Sequence, residues 1–356
     1  QQFPDQKNYR FDVFHSYYLL HDIPRAFEVI SQLILESDDP DGIYRDAFVS
    51  MAMMMAGRHL AEDIELAEFY AQQGWMVHQS LHQSDPQNPK YYSRAHKVHF
   101  MRASLATVKS EFQNANLELD NAIDMLQQWM RLNPDDYTLQ RELKHYYELQ
   151  ATIAWHQNEL EIADRAVSAA ERVAEEVDEF FQTALSRDQL RRAKEFRLVL
   201  ELACNKPDNA EALCREYLHL LEDSLAHWPQ NAQANIHLAL FLVECVYLPL
   251  QDHNRAAEII ASMDPEDLTS PVLIDMVRFR LGNGRPLIRR LANKKPLSGL
   301  NQAYLCLAQA QAGEIAAARK TAVLAESAPP SVYLVSDWKM KRLLNEAGTI
   351  LQSKDE

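Results

Sequence analysis

Four cysteines are the strongest nucleophiles in the sequence, and they are candidates for catalysis, redox chemistry or metal binding. No two of them have the Cys-x-x-Cys spacing that redox motifs and zinc sites use. Three of them occur at positions of a repeated pattern, described below, where close helix packing requires small residues. We therefore expect unpaired thiols, buried at Cys245 and Cys306, and a cytoplasmic location, with a periplasmic one left open.

Histidine pairs are the candidates for a metal site. His78 and His82 are four residues apart and would share one face of a helix, and His96 and His99 are three apart. Neither pair comes with the glutamate of an HExxH motif or with a third fixed ligand. Solvated helix faces are the simpler interpretation, so the sequence predicts no metal.

Phosphate chemistry would use the glycine-rich stretch 281–286, Leu-Gly-Asn-Gly-Arg-Pro. This stretch lacks the lysine and the hydroxyl residue that a nucleotide-binding loop places on the phosphates and Mg²⁺. The sequence also lacks a Ser/His/Asp or Cys/His arrangement in a strand-turn-helix setting. We therefore predict no catalytic residues, no cofactor and no enzymatic activity.

The charge of the chain is strongly negative, at −15 with a pI of about 5.3. Such a molecule repels a phosphate backbone, which argues against direct nucleic-acid binding. One basic cluster departs from this trend, and it is either a solvated face or a docking patch for an acidic partner. Its residues are Arg285, Arg289, Arg290, Lys294 and Lys295.

The elements that position these side chains are predicted to be helices. Glycine occurs only 8 times in 356 residues, although β-turns and phosphate loops both consume it. A small-residue pattern recurs along the chain: a turn residue five before an alanine, a small or apolar residue twelve before it, and further ones four and seven after it. Small residues let two antiparallel helices approach closely, so each copy predicts a helical hairpin. The anchoring alanines are Ala26, Ala67, Ala115, Ala163, Ala210, Ala257 and Ala318, with room for a further unit around Leu287.

This pattern resembles the tetratricopeptide repeat family, most clearly from Tyr304 to Pro330, with a second closing signature at Leu132-Asn133-Pro134. The period of about 47 residues exceeds the family's ~34, which implies helices about two turns longer, as in the long-helix repeats of bacterial regulators. The resemblance implies an all-α superhelical solenoid of seven to eight antiparallel helical hairpins. We divide it into an array over 1–267 and shorter repeats with a tail over 268–356.

In the family that the chain resembles, the first helix of each hairpin lines a groove that binds a protein or peptide. Carrying those positions over gives a candidate groove that combines aromatic residues with both signs of charge. Its residues are Lys97, Phe100, His145, Glu148, Trp155, His156, Arg192 and Glu195.

The predicted function is therefore a non-catalytic scaffold that binds a protein or peptide. It would be the sensing or regulatory module of a larger bacterial signalling protein or transcription regulator, with further segments expected before Gln1. Two alternatives stay open: a sensor that binds a regulatory small molecule inside the superhelix, and an accessory domain of an enzyme. No run reaches the ~18 apolar residues of a membrane helix, so no membrane insertion is predicted.

Overall fold

A computed structural model describes residues 6–20, 22–36, 42–61, 63–84, 92–204, 207–263, 271–294 and 297–354. Within these ranges the chain forms seventeen α-helices, one short 3₁₀-helix and no strand, and 84% of the described residues are helical. The all-α prediction is confirmed. None of the described helices is both long and apolar enough to cross a bilayer.

The chain folds into two compact units, residues 1–139 and 140–356. Unit 1 contains three consecutive helix pairs. They are α1 (Gln6–Leu19) with α2 (Ile23–Glu36), α3 (Ile43–His59) with α4 (Ile64–Ser84), and α5 (Tyr92–Val108) with α6 (Phe112–Leu132).

The described part of unit 2 contains five more pairs and a single further helix, so the described residues form eight pairs, the upper end of the predicted range. The pairs are α7 (Thr138–His156) with α8 (Leu160–Phe181), α9 (Ala184–Ala203) with α10 (Pro207–His227), α11 (Ala232–Glu244) with α12 (His253–Ser262), α13 (Pro271–Arg280) with α14 (Arg285–Ala292), and α15 (Gly299–Gln311) with α16 (Ile315–Glu326). The single further helix is α17 (Leu334–Gln352).

The repeat register is visible in the backbone of the hairpin turns. Ser110, Asn158, Gly282 and Gly313 all have positive φ, between 61° and 94°. Each lies five residues before an anchor position, where the pattern requires a turn. In each turn the next residue's N–H donates to the carbonyl five residues back, at 2.8–2.9 Å, which closes the first helix.

Burial of the anchors confirms the register in most units and corrects it in one. Ala26, Ala67, Ala115, Ala163, Ala210 and Ala318 are at most 4% exposed. Ala257, predicted as an anchor, is exposed, and its neighbour Ala256 is fully buried instead. The physical reason is that α12 begins at the Asp252 cap and presents Ala256, one position earlier, to the core.

The further unit expected around Leu287 exists as the hairpin of α13 and α14, and Leu287 itself is fully buried. With the corrected register, Ala256, Leu287 and Ala318 are spaced 31 residues apart, so the last units are shorter than the first.

The division of the chain differs from the predicted one at 267/268. That position falls inside unit 2, within a segment outside the described residues. One continuous core joins the two sides of it, since Leu221 and Leu238 pack in the same cluster as Leu287, Tyr304 and Leu343.

All four cysteines are free thiols. Cys214, Cys245 and Cys306 are buried, and Cys204 is partly buried. Burial is the first cause that raises the pKa of the Cys306 thiol, to about 11, which makes a reactive thiolate unfavourable at neutral pH.

Candidate functional site

The C-terminal helix α17 lies across one face of unit 2. Its polar side chains contact α7, α9, α11 and α13 in turn, and the helix packs most extensively against α15; all five are first helices of hairpins. Its nineteen residues span about 28 Å. We call the face of unit 2 formed by α7, α9, α11, α13 and α15 beneath this helix the α17 groove.

The groove helices begin at residues whose side chains cap them. Thr183 and Ser186 form a reciprocal capping box at the start of α9, and Asn231 Oδ1 accepts from the Ala234 N–H at 3.1 Å at the start of α11. Such caps satisfy backbone donors that would otherwise lack partners. They fix where each helix starts and therefore which residues face α17.

The amino-terminal end of α17 binds α7. The Leu334 N–H donates to Thr152 Oγ1 at 3.1 Å, and His156 Nε2 lies 2.9 Å from Asp337 Oδ2. Lys341 places its ammonium 4.5 Å from the centre of the Trp155 ring, within cation–π distance. A polar contact, an ionisable pair and an aromatic contact therefore hold this end.

Between Asp337 and Lys341, α17 binds a carboxylate on α9. Lys339 Nζ lies 2.6 Å from Glu195 Oε1, and Arg191 Nη1 lies 3.2 Å from Oε2. Burial alone would raise the pKa of Glu195, but Lys339 and Arg191 outweigh it and lower that pKa to about 2. Arg191 also donates to the Tyr217 hydroxyl at 2.7 Å, so this ion pair is part of a buried network.

The carboxyl-terminal half of α17 binds α11 and α13. Arg342 Nη1 donates to the Glu244 carbonyl at 3.0 Å, and Arg280 of α13 donates to Glu346 at 2.7 Å. The Glu244 carboxylate accepts from Arg280 at 3.2 Å and from the Tyr304 hydroxyl at 2.5 Å. Buried Leu343 supplies the apolar part of this contact.

Three of the predicted groove residues contact α17: Trp155, His156 and Glu195. Glu148 is buried instead in a structural cluster, 2.6 Å from Lys144 Nζ and 2.9 Å from His145 Nδ1.

The other predicted groove residues have different surroundings. Arg192 is half exposed and pairs with Asp188 of its own helix at 3.0 Å. Lys97 and Phe100 belong to α5 of unit 1, where both are partly buried.

The predicted basic cluster is divided in the structure. Arg290 is bound to the buried carboxylate of Asp275, with Nε 2.6 Å from Oδ2. Arg285, Arg289 and Lys294 are exposed. Lys295 lies outside the described residues.

Sequence reasoning missed the contacts that α17 itself makes, at Lys339, Arg342 and Glu346. The sequence does contain a signal for these contacts, because the charges at 339, 342 and 346 recur at helical spacing beside the apolar positions 343 and 347. The repeat pattern does not indicate these contacts, because α17 is not part of a hairpin and lies outside that pattern.

Metal chemistry finds no support in the described residues, which contain no group of three His, Cys, Asp or Glu side chains placed to hold an ion. His78, one of the metal candidates, is buried in α4. Its burial, with His99 and His82 nearby, lowers its pKa to about 4.

Comparisons with known proteins give no family. No protein-family model matches the chain, and no curated protein matches it. Among solved structures, the crystal structure of yeast Tom70 aligns over 98% of this chain and 84% of that chain, at 12% identity and a TM-score of 0.30. A likeness this low carries no argument about fold or function.

Proposed function

We propose that this chain is a non-catalytic scaffold that recognises a helical segment of a partner protein in the α17 groove. The observation that carries the proposal is the seating of α17, an amphipathic helix held by successive side-chain contacts with four helices of unit 2. Helix-in-groove binding is a recurrent mode of peptide recognition.

The groove specifies the chemistry of the helix that it binds. Glu195 receives a cation of the bound helix, and His156 and Arg280 receive the carboxylates that lie before and after that cation along the helix. Apolar side chains beside these charges pack on the core, as Leu334 and Leu343 do. A partner helix with this order of charges would compete with α17 for the same groove.

The wider role that we propose is regulatory. The tetratricopeptide-like hairpin pattern supports a cytoplasmic sensing module of a larger bacterial signalling protein or transcription regulator, without direct nucleic-acid binding. In such a module, α17 would keep the groove closed until a partner displaces it.

The test uses a protease site inserted in the segment 327–333, between α16 and α17. After cleavage, α17 stays docked without a covalent tether and becomes exchangeable, so the rest of the chain need not fold without it. A dye-labelled peptide of residues 334–352 is then titrated, and fluorescence anisotropy reports its binding. We expect saturable exchange, and at least tenfold weaker binding after Glu195→Lys, because Lys339 then faces a like charge.

The matched control is Glu258→Lys, an exposed glutamate on α12 away from the groove, which we expect to leave affinity unchanged. A Lys339→Glu peptide should recover binding to the Glu195→Lys chain. Equal binding to both lysine variants, or failure of the swapped pair to recover, would show that this groove does not select the helix.

A further inference from the structure

A cavity of about 300 Å³ lies between α17 and the helices of unit 2 beneath it. Packed protein interiors contain few voids larger than a water molecule, and ligand sites begin at about this volume. The cavity is partly open to solvent, and its volume reaches that of small ligand sites.

Most of the cavity wall is apolar. Side chains from α9, α10, α11, α13, α15 and α17 form it, among them Leu198, Phe241, Met276, Val335 and Trp338. Water gains few hydrogen bonds against such a wall, whereas an apolar ligand would be stabilised by leaving water.

The charged groups at the cavity neutralise one another. Glu195 is paired with Lys339 at 2.6 Å, and Glu244 with Arg280 at 3.2 Å. The Arg342 guanidinium lies over the Trp338 ring at 5.3 Å and donates to the Glu244 carbonyl. An ionised ligand would therefore lose its hydration without meeting an uncompensated countercharge.

Uncharged polar groups remain available at the wall. The side chains of Asn301 and Ser336 and the Nδ1 atom of His237 make no hydrogen bond with any residue in the described ranges. Burial, and then the nearby Arg191, lower the pKa of His237 to about 4, so its ring is neutral at physiological pH. These groups suit a ligand that carries an amide, hydroxyl or carbonyl group.

We propose that this cavity binds a neutral, largely apolar small molecule whose hydrogen-bonding group meets His237, Asn301 and Ser336. Five residues of α17 form part of the wall: Val335, Ser336, Trp338, Lys339 and Arg342. The ligand therefore binds only while α17 is docked. At a ligand concentration one hundred times its Kd, the population of undocked α17 falls about 100-fold.

The test compares three probes with the same body and different charge: 3-phenylpropanamide, 3-phenylpropionate and 3-phenylpropylammonium. Calorimetric titration and thermal shift are measured on the intact, uncleaved chain without any partner peptide, so the result is independent of the proposed helix recognition. We expect the neutral amide to bind at least tenfold more tightly than either ion.

Two variants locate the binding. Val272→Phe places a larger side chain in the cavity, and we expect it to weaken amide binding at least tenfold. The matched control is Val323→Phe, at an exposed position of α16, which we expect to bind like the unmodified chain.

A third variant tests the contribution of the uncharged polar groups at the cavity wall. If Val272→Phe fails to fold, Asn301→Leu takes its place. We expect Asn301→Leu to weaken binding of the amide more than binding of propylbenzene, a probe without a hydrogen-bonding group. The proposal is overturned if the amide shows no binding at about 1 mM, if an ion binds as tightly, or if the cavity variants bind like the control.

Discussion

Single residues in the hairpin turns carry the clearest evidence for the repeat. Four turns place a residue in the left-handed region, and two of these residues are glycine, which adopts that region without strain. Ser110, with φ of 61°, has a Cβ atom that meets the carbonyl oxygen in this conformation. The pattern therefore fixes a backbone conformation, and the residue type fixes how much strain it costs.

We predict that Ser110→Gly stabilises the protein by roughly 0.5–1 kcal/mol, because relief of left-handed strain exceeds the added freedom of the unfolded chain. Ser110 is exposed, so no packing changes with it. Chemical denaturation of both proteins gives the difference in the free energy of unfolding. Ser110→Val is the control, and it is expected to destabilise, because a β-branched residue fits this region poorly. Equal midpoints for the Gly and Val variants would contradict the assigned turn.

The corrected anchor in α12 can be tested by two neighbouring substitutions of the same kind. Ala256 is fully buried, so we expect Ala256→Leu to overpack the helix crossing and cost about 1–3 kcal/mol. Ala257 is exposed, so Ala257→Leu is expected to stay within about 0.5 kcal/mol of the original. Melting temperatures measured by calorimetry distinguish them. The reverse order of effects would restore Ala257 as the anchor.

At the level of elements, the sequence predicts the hairpins well because helix crossings impose small residues at fixed offsets. Ala163 and Cys306, chosen from those offsets, are both fully buried. The same reasoning selects Trp155, His156 and Glu195 as groove residues, and all three contact a helix. It could not show that this helix belongs to the same chain. Docking of α17 depends on pairs distant in sequence, such as His156 with Asp337, and no local spacing encodes them.

Docking of α17 is predicted to weaken in acid through Glu195. The pKa of this carboxyl is lowered to about 2, below the ordinary 4.5, so its ion pair stabilises fully above about pH 4.5 and loses that contribution as the pH falls towards 2. The full shift corresponds to roughly 3 kcal/mol. We expect the stability difference between the original protein and Glu195→Gln to shrink by about half near pH 3.5.

Urea denaturation at several pH values measures this difference, and Glu258→Gln, at an exposed position, serves as the control. A difference that stays constant between pH 5 and pH 3.5 would mean that Glu195 is not held ionised by Lys339 and Arg191.

At the scale of the whole molecule, the charge of −15 acts on any helix that approaches the groove. The α17 segment carries Lys339, Lys341 and Arg342 against Asp337 and Glu346, a net charge of +1, so the rest of the chain carries −16. Opposite net charges steer two molecules together and raise the association rate, whereas contacts made after docking mainly set the dissociation rate.

We therefore predict that the charge of a competing peptide sets its association rate, even where the charged residue makes no contact with the groove. Asn345 and Thr349 are exposed on docked α17, so 334–352 peptides with lysine at both positions, the original residues, or glutamate at both form a series of net charge +3, +1 and −1. The chain cleaved in 327–333 keeps its own α17, and each peptide competes for the groove whenever that α17 dissociates. Stopped-flow exchange kinetics at several peptide concentrations then give relative association rates, which we expect to rank in that order at low salt. The three rates should converge at about 0.5 M salt, where interactions between charges are screened beyond a few ångströms.

Dissociation rates should stay within about twofold of one another, because no groove contact has changed. Association rates that are independent of peptide charge at low salt would show that local contacts alone, and not the field of the whole chain, bring the helix to the groove.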